Sequence, residues 1–359
     1  MALSGLDIFK LLPKTNCGDC GVPTCLAFAM RLAQKITELS ECPHASEEAK
    51  ATLGAASEPP IRLVKIGGAG PLEMGDETVL FRHEKTFCHP TGIAIQLSTA
   101  DDEEQLLNKI KDIDIHKVTR VGEDLSIDLF LISHDSDDKE KFLNIINLVK
   151  QHSTKGIILD CSDQGLLRSG LELLKEYRPA ILLRKELTEN DIELAISYDA
   201  SLIISAHSLD DLSRQSEEAR SRGVKNVILN MESNNIGHQL QYSTILRRSA
   251  LRKYFKPFSY PIFTYIHNEN EYDLLANSSL GICKYSSIIV LPKYDKAMLY
   301  TLFTLRQIFL FVSRYSLNWS RYGLISLFRY CTKKSILYFM LNPCFLQRLV
   351  YRTPLDTQQ

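Results

Sequence analysis

The sequence predicts an α/β protein: a TIM-type (β/α)8 barrel preceded by a small N-terminal domain built on four cysteines. Three observations carry this. Between Ile93 and Gln307 eight apolar, β-branched runs recur, each followed by a helix-like segment. Near-continuous apolar strands alternating with helices indicate a parallel sheet buried on both faces. Eight units in about 215 residues suit a closed barrel better than an open doubly wound sheet, for which about six strands are usual. Ahead of the barrel, Cys17, Cys20, Cys25 and Cys42 fall in a C-x2-C-x4-C-x16-C pattern followed at once by Pro43.

With 359 residues the chain exceeds what one simple core organises, and 45% hydrophobic with 24% charged residues is ordinary globular composition. A net charge of -1, from 42 basic and 43 acidic residues, gives no bulk field for nucleic acid or an anionic membrane. The N-terminus lacks a secretory pattern and no segment upstream of Ile308 has the apolar length of a membrane span, so the expectation is a cytoplasmic protein with neither nucleic-acid nor membrane partners. Nine cysteines, four of them clustered at the front, point to metal or redox chemistry rather than to disulfide staples. The scattered five, Cys88, Cys161, Cys283, Cys331 and Cys344, read as buried apolar fillers.

In chain order, Leu3 to Leu12 predicts a short helix stopped by Pro13 and packed on the cysteine loop. Gly18 and Gly21 let that loop fold tightly and aim N–H groups at the sulfurs. Apolar residues at helical spacing from Leu26 predict a helix directly after the third cysteine. Its length is bounded by geometry: ten helical residues travel about 15 Å, and about seven extended residues return up to about 23 Å, so the helix must end near Gln34 for Cys42 to reach the other three. C-x2-C pairs also bind zinc, yet zinc ribbons usually offer two such pairs, and this loop offers one, plus a third cysteine and a distant Cys-Pro. The spacing therefore favours a [4Fe-4S] cluster over zinc or unligated thiols.

Residues 46–60 read as a helix and a hinge, so the four-cysteine domain is assigned to 1–58 and the barrel, with an N-terminal hairpin, to 59–307. Ile61 to Ile66 predicts a strand turned at Gly67 to Pro71; a phosphate loop there is disfavoured because Pro71 would end the helix it needs. The eight barrel strands are expected at Ile93–Leu97, Ile127–Ile132, Gly156–Leu159, Ala180–Leu183, Ser201–Ile204, Asn226–Leu229, Pro261–Tyr265 and Ser287–Leu291. Polar residues at their carboxyl ends, where barrels carry function, are Ser98, His134, Asp160, Ser162, Arg184, His207, Asn230, Glu232, His267 and Lys293. Ser162-Asp163 and Ser208 read as helix caps, and no base–nucleophile pair follows from the sequence, so catalytic residues are unassigned.

The segments TNCGDCGVPTCLAFAM and SECP, with VLFRHEKTF and HPTGIAIQLS before the barrel, resemble the large (gamma) subunit of the corrinoid iron-sulfur protein of the acetyl-CoA synthase, or acetyl-CoA decarbonylase/synthase, system. The likeness runs to about Gln307. It implies that Cys17, Cys20, Cys25 and Cys42 ligate [4Fe-4S] as metal and cofactor ligands. It further implies a methyltransferase component: a methyl group passes from a methyl-tetrahydropterin or folate, by way of cobalamin, to acetyl-CoA synthase, and the cluster returns oxidised Co(II) to Co(I). The implied partners are the small subunit of a heterodimer, acetyl-CoA synthase and the methyl-tetrahydropterin/folate methyltransferase. The alternative is a cluster-bearing electron-transfer module whose barrel is a scaffold.

Residues 308–359 depart from that family's pattern, which continues into a corrinoid (cobalamin) domain. The segment carries seven basic residues and one acid and holds 11 of the 31 aromatics, with no strand–helix alternation. The expectation is a truncated or frame-shifted readout without the corrinoid domain; an interfacial segment and a packed helix pair are the alternatives.

Overall fold

The computed structural model describes residues 5–33, 37, 39–46, 49, 59–68, 70–78, 80, 89–136, 138–233, 235–267 and 270–319, with residue 40 and residues 309–319 given by backbone alone. The helix and hinge expected over 46–60 fall mostly outside these residues, as do Cys88, Cys331 and Cys344. Of the other scattered cysteines, Cys161 is buried and Cys283 half-buried.

Helix α1 (Gly5–Leu11) stops short of Pro13 and packs on α2 (Cys25–Ala33), which begins at the third cysteine and ends where the return to Cys42 requires. Ile8, Leu12, Val22, Phe28 and Ala29 form the small core between them, and Cys25 and Cys42 are buried in it.

A hairpin follows, β1 (Val64–Ile66) paired antiparallel with β2 (Leu72–Met74). Gly75 ends it with φ +98, and a Cβ there would collide with the Arg62 carbonyl oxygen. The eight expected runs all form strands: β3 (Gly92–Ser98), β6 (Leu129–Ser133), β7 (Gly156–Asp160), β8 (Ala180–Leu183), β9 (Ser201–Ala206), β10 (Val227–Met231), β11 (Ile262–Tyr265) and β12 (Ser286–Leu291). They pair parallel and close through β12 against β3 into a barrel. The second run starts later than expected because Asp128 leaves the ladder: its carboxylate accepts the Ile93 N–H at 2.8 Å and an Arg306 N–H at 2.5 Å. An additional hairpin, β4 (Val118–Arg120) and β5 (Glu123–Leu125), precedes β6, turning at Val121 and Gly122 with φ of 52 and 78.

The pleat assigns each strand residue to one of two cores. Inward-facing Ala94, Leu129, Leu131, Ile158, Leu182, Ile203, Ile228, Phe263 and Ile288 fill the barrel. Val64, Ile66 and Met74 of the first hairpin join them. That hairpin closes the amino end of the barrel: the Gly67 N–H donates to the Arg178 carbonyl at 3.2 Å and the Ser201 hydroxyl to the Lys65 carbonyl at 3.4 Å. Outward-facing Ile93, Ile95, Phe130, Ile132, Leu159, Ile181 and Leu229 pack under the helices.

Those helices are α3 (Glu103–Ile115), α4 (Lys139–His152), α5 (Gln164–Leu173), α6 (Glu189–Ser197), α7 (Leu209–Ser221), α8 (Ile236–Arg252), α9 (Glu271–Cys283) and α10 (Lys296–Trp319). Asp, Thr, Ser or Asn caps each of the first seven by accepting N–H groups of the first turn, at Asp102, Asp138, Asp163, Thr188, Ser208, Asn235 and Asn270. Arg247 of α8 forms a buried ion pair with Glu77, fastening the chain after β2 to the helical layer. Helix α10 continues across residue 308, where composition changes. It is fixed to the barrel through Arg306, which also bonds the Thr91 and Ser126 carbonyls, and through Gln307, which bonds the Arg120 carbonyl at 2.8 Å. Among the described residues no helix is long and apolar enough to cross a membrane.

Candidate metal centre

The loop that leads into α2 is wound through the left-handed region at Lys14, Asn16, Gly18 and Gly21, with φ of 59, 51, 81 and 73. Two of these are not glycine. Asn16 tolerates the conformation because its short side chain bonds locally: its Oδ1 accepts the Cys25 N–H at 2.8 Å, and its own N–H donates to Cys25 Sγ at 3.4 Å. The expected N–H to sulfur bond therefore comes from Asn16, whereas the Gly21 N–H donates to the Gly18 carbonyl at 2.9 Å and closes the turn around Cys20. Asn16 was not singled out by spacing; its signal is the readiness of asparagine to adopt positive φ.

Cys25 begins a helix whose preceding residue, Thr24, accepts the Ala27 N–H at 3.2 Å, so its sulfur sits at the positive end of the helix dipole. After α2 a 3-10 turn, Leu39–Glu41, leads into Cys42, whose N–H donates to the Leu39 carbonyl at 3.0 Å. Two residues on, His44 Nε2 lies 2.8 Å from Asp19 Oδ2. Cys17 Sγ, an Asp19 oxygen and a His44 nitrogen all lie within 4.8 Å of one another. Hydrogen bonds from His44 and Cys17 hold the Asp19 carboxyl below the usual carboxylate range. The two ends of the four-cysteine segment are thus tied together.

The donor set fits a cluster of iron and sulfide. Four free thiols arise from one segment; Cys25 and Cys42 are buried in one apolar core, Cys20 is half-buried against it, and Cys17 is exposed. Such a graded setting keeps water from most of a bound group and leaves one edge open for electron exchange.

At the other functional end, the inward-facing positions change character toward the carboxyl ends of the strands. Two residues beyond apolar Ala94, Leu131, Ile158, Ile203, Ile228 and Phe263 stand Gln96, Ser133, Asp160, Ser205, Asn230 and Tyr265. Asp160 receives the Arg184 guanidinium on both oxygens, with Nε at 3.0 and 2.8 Å and Nη2 at 2.5 Å. Burial still pushes the Asp160 carboxyl up against the pull of Arg184. The guanidinium lies 4.8 Å over the Tyr265 ring, and the Tyr265 hydroxyl donates to Gln96 Oε1 at 2.5 Å. Gln96 continues to the Ser133 hydroxyl at 2.9 Å, Ser98 donates to Asp135 at 2.6 Å, and Asn230 donates to Ser205 at 2.9 Å.

Of the strand-end residues named from sequence, Ser98, Asp160, Arg184, Asn230 and His267 meet in this mouth, and Glu232 lies 3.4 Å from His207 at its rim. Lys293 is exposed. His134 does not join: it follows outward-facing Ile132 by two residues, so it turns to Phe142 of α4 with ring centroids 5.6 Å apart. Ser162 is exposed, and Asp163 alone caps α5, accepting the Gly165 and Leu166 N–H groups. Gln96, Ser133, Ser205 and Tyr265 are members of the mouth that sequence reading missed; Gln96 and Tyr265 lie inside the predicted strands and Ser133 and Ser205 directly after them, where only the inward register marks them.

A sequence-family profile described as "CO dehydrogenase/acetyl-CoA synthase delta subunit" matches residues 63–314, the entire barrel. A second, described as "Putative Fe-S cluster", matches residues 12–44, which contain all four cysteines. The chain is 36% identical over 310 residues to the corrinoid/iron-sulfur protein large subunit of Moorella thermoacetica, covering 86% of this chain and 69% of that protein. It is 29% identical over 282 residues to the acetyl-CoA decarbonylase/synthase complex subunit gamma of Methanocaldococcus jannaschii, covering 76% of this chain and 58% of that one. The chain therefore matches about six to seven tenths of the length of these relatives.

Proposed function

The chain belongs to the family of corrinoid/iron-sulfur protein large subunits and acetyl-CoA decarbonylase/synthase gamma subunits, and from that premise we propose that it serves the acetyl-CoA pathway by holding a [4Fe-4S] cluster on Cys17, Cys20, Cys25 and Cys42. The observation that carries this reading is the convergence of the two ends of the cysteine segment at Asp19 and His44. When bound, such a cluster supplies single electrons at low potential, the chemistry needed to return Co(II) of a corrinoid to nucleophilic Co(I).

The protein's own part is electrostatic. The Asn16 N–H on Cys25 Sγ and the α2 dipole at the same residue both favour negative charge on that sulfur. Burial of Cys25 and Cys42 works in the opposite direction by disfavouring added charge, so the potential is set by the balance. Exposed Cys17 marks the edge from which an electron leaves with the shortest path.

In this role the chain is the large-subunit component of methyl transfer from a methyl-tetrahydropterin or folate to acetyl-CoA synthase. Its partners are the small corrinoid iron-sulfur subunit, acetyl-CoA synthase and the methyl-tetrahydropterin/folate methyltransferase. The test is anaerobic mixing of the reduced chain with Co(II) cobinamide. The expected result is Co(I) absorbance growing as the reduced-cluster signal falls; a reduced cluster that leaves Co(II) untouched overturns the assignment.

A further inference from the structure

The net charge of -1 conceals a local excess of one sign. Strands β10, β11 and β12 are neighbours in the barrel, so the turns that lead into them lie side by side at its amino end. Those turns, residues 222–226, 253–261 and 284–285, contain no aspartate or glutamate. Lys225, Lys253 and Lys256 stand exposed on them, and Arg248 and Arg252 are exposed on the last two turns of α8. None of these five cations has an ion-pair partner among the described residues, unlike Arg222, which lies 2.8 Å from Glu189.

Two aromatic rings stand in the middle of this charge, Tyr254 47% and Phe255 41% exposed. They are presented rigidly. Tyr254 adopts φ 51 at the position after α8 where glycine is the usual residue, and the Phe255 N–H returns to the Ser249 carbonyl at 3.0 Å. The Phe255 ring meets buried Phe258 edge-on with centroids 4.9 Å apart, and the Ser216 hydroxyl of α7 donates to the Pro257 carbonyl at 2.8 Å. Strain spent on an exposed aromatic adds nothing to the barrel's own core, and residues held in sparsely populated backbone conformations cluster at functional sites.

The run Arg252-Lys253-Tyr254-Phe255-Lys256 therefore places an apolar tip inside a collar of cations. That arrangement matches the layers of a membrane surface, with rings at headgroup level and cations on the phosphates. A nucleic acid asks for a track of cations along its backbone, whereas these are gathered around one turn. A second feature at the same end agrees. Arg306 of α10 bonds the Thr91 carbonyl, just before β3 begins, so the helix has reached the amino end of the barrel there. It runs on to Trp319, about 20 Å farther, and residues 308–319 contain one arginine and no acid. An apolar continuation with a cation suits a lipid interface and gives a nucleic acid little to bind.

We propose that this amino-end face docks on an anionic lipid bilayer, Tyr254 and Phe255 entering the headgroup layer while Arg252, Lys253 and Lys256 meet lipid phosphates. The face lies at the opposite end of the barrel from the mouth, so a docked chain keeps the mouth open. It does not depend on what the four cysteines hold.

Co-sedimentation of the full chain with vesicles of phosphatidylglycerol and phosphatidylcholine in equal parts, against vesicles of phosphatidylcholine alone, tests this. The expected result is binding to the anionic vesicles only, weakened severalfold at about 0.5 M salt. The combined variant Arg252→Glu, Lys253→Glu, Lys256→Glu should lose about a hundredfold or more in partition. Tyr254→Gly should keep or raise the thermal melt, because glycine relieves the strain at φ 51, yet bind the vesicles severalfold more weakly. The proposal is overturned if the chain fails to sediment with anionic vesicles, if neutral vesicles bind it equally, or if both variants bind like the parent. Tighter binding of a single-stranded oligothymidylate than of the vesicles, compared per phosphate, overturns it in favour of nucleic acid. In the wild-type chain, amide exchange over residues 252–258 should slow on adding anionic vesicles; unchanged exchange overturns the placement.

Discussion

Asp19 Oδ2 and His44 Nε2 meet at 2.8 Å across 25 residues of sequence, joining the turn between Cys17 and Cys20 to the residue two beyond Cys42. Both groups are exposed, so the contact contributes little to overall stability. Its consequence is local: it fastens the chain just after Cys42 to the Cys17–Cys20 turn. Asp19→Ala and His44→Ala should leave the thermal melt of the chain unchanged, yet accelerate chelator-driven iron release severalfold. Equal release rates in variant and parent would show that Cys42 is held by its own core packing alone.

Asn16 combines three tasks, since it adopts φ 51, accepts the Cys25 N–H and donates to Cys25 Sγ. Asn16→Ala retains only the last, and should destabilise the N-terminal domain by about 1–2 kcal/mol from the lost bond and the strained backbone. Asn16→Asp should recover much of the fold, because aspartate also tolerates this region and accepts the same bond. Denaturant melts of the three forms, followed by local probes of the cysteine segment, check the order.

In the mouth, removing Arg184 leaves the Asp160 carboxylate buried without its counter-charge. Arg184→Met should cost about 3 kcal/mol, the lower end for such pairs because the guanidinium is half-exposed. Asp160 already has a carboxyl raised by burial, so the folded state binds its proton more tightly than the unfolded chain does. That contribution is fully present below the unfolded value of about 3.9 and is lost as pH rises through the folded one. Arg184→Met should steepen this loss, and chemical melts across acid pH will show it.

Asp163 has the opposite sign. The Lys139 hydrogen bond, followed by the Leu166 and Gly165 N–H groups, lowers its carboxyl to about 2. Its contribution is present above about 3.9 and disappears as pH falls through about 2. Asp163→Asn should flatten the stability profile across that interval relative to the parent.

Much of this was legible beforehand. All eight barrel strands are marked by apolar runs, because a strand buried on both faces keeps its polar positions few and near its ends. The end of α2 was legible from reach alone, since Cys42 had to return. Less visible were features that depend on side-chain direction. Its position after β6 puts His134 in the mouth, whereas the pleat turns it outward to Phe142. Gln96 and Tyr265, inside their strands, carried no mark until the inward register was known. The β4–β5 hairpin rests on a two-residue turn with valine at φ 52, a residue that seldom signals such a turn.

Metal analysis with electron paramagnetic resonance of the anaerobically purified, dithionite-reduced chain tests the assignment of the four cysteines most directly. The predicted result is iron and sulfide in equal amounts with a reducible cluster signal that Cys25→Ala or Cys42→Ala abolishes. Stoichiometric zinc, or a cluster signal that survives both substitutions, would contradict it.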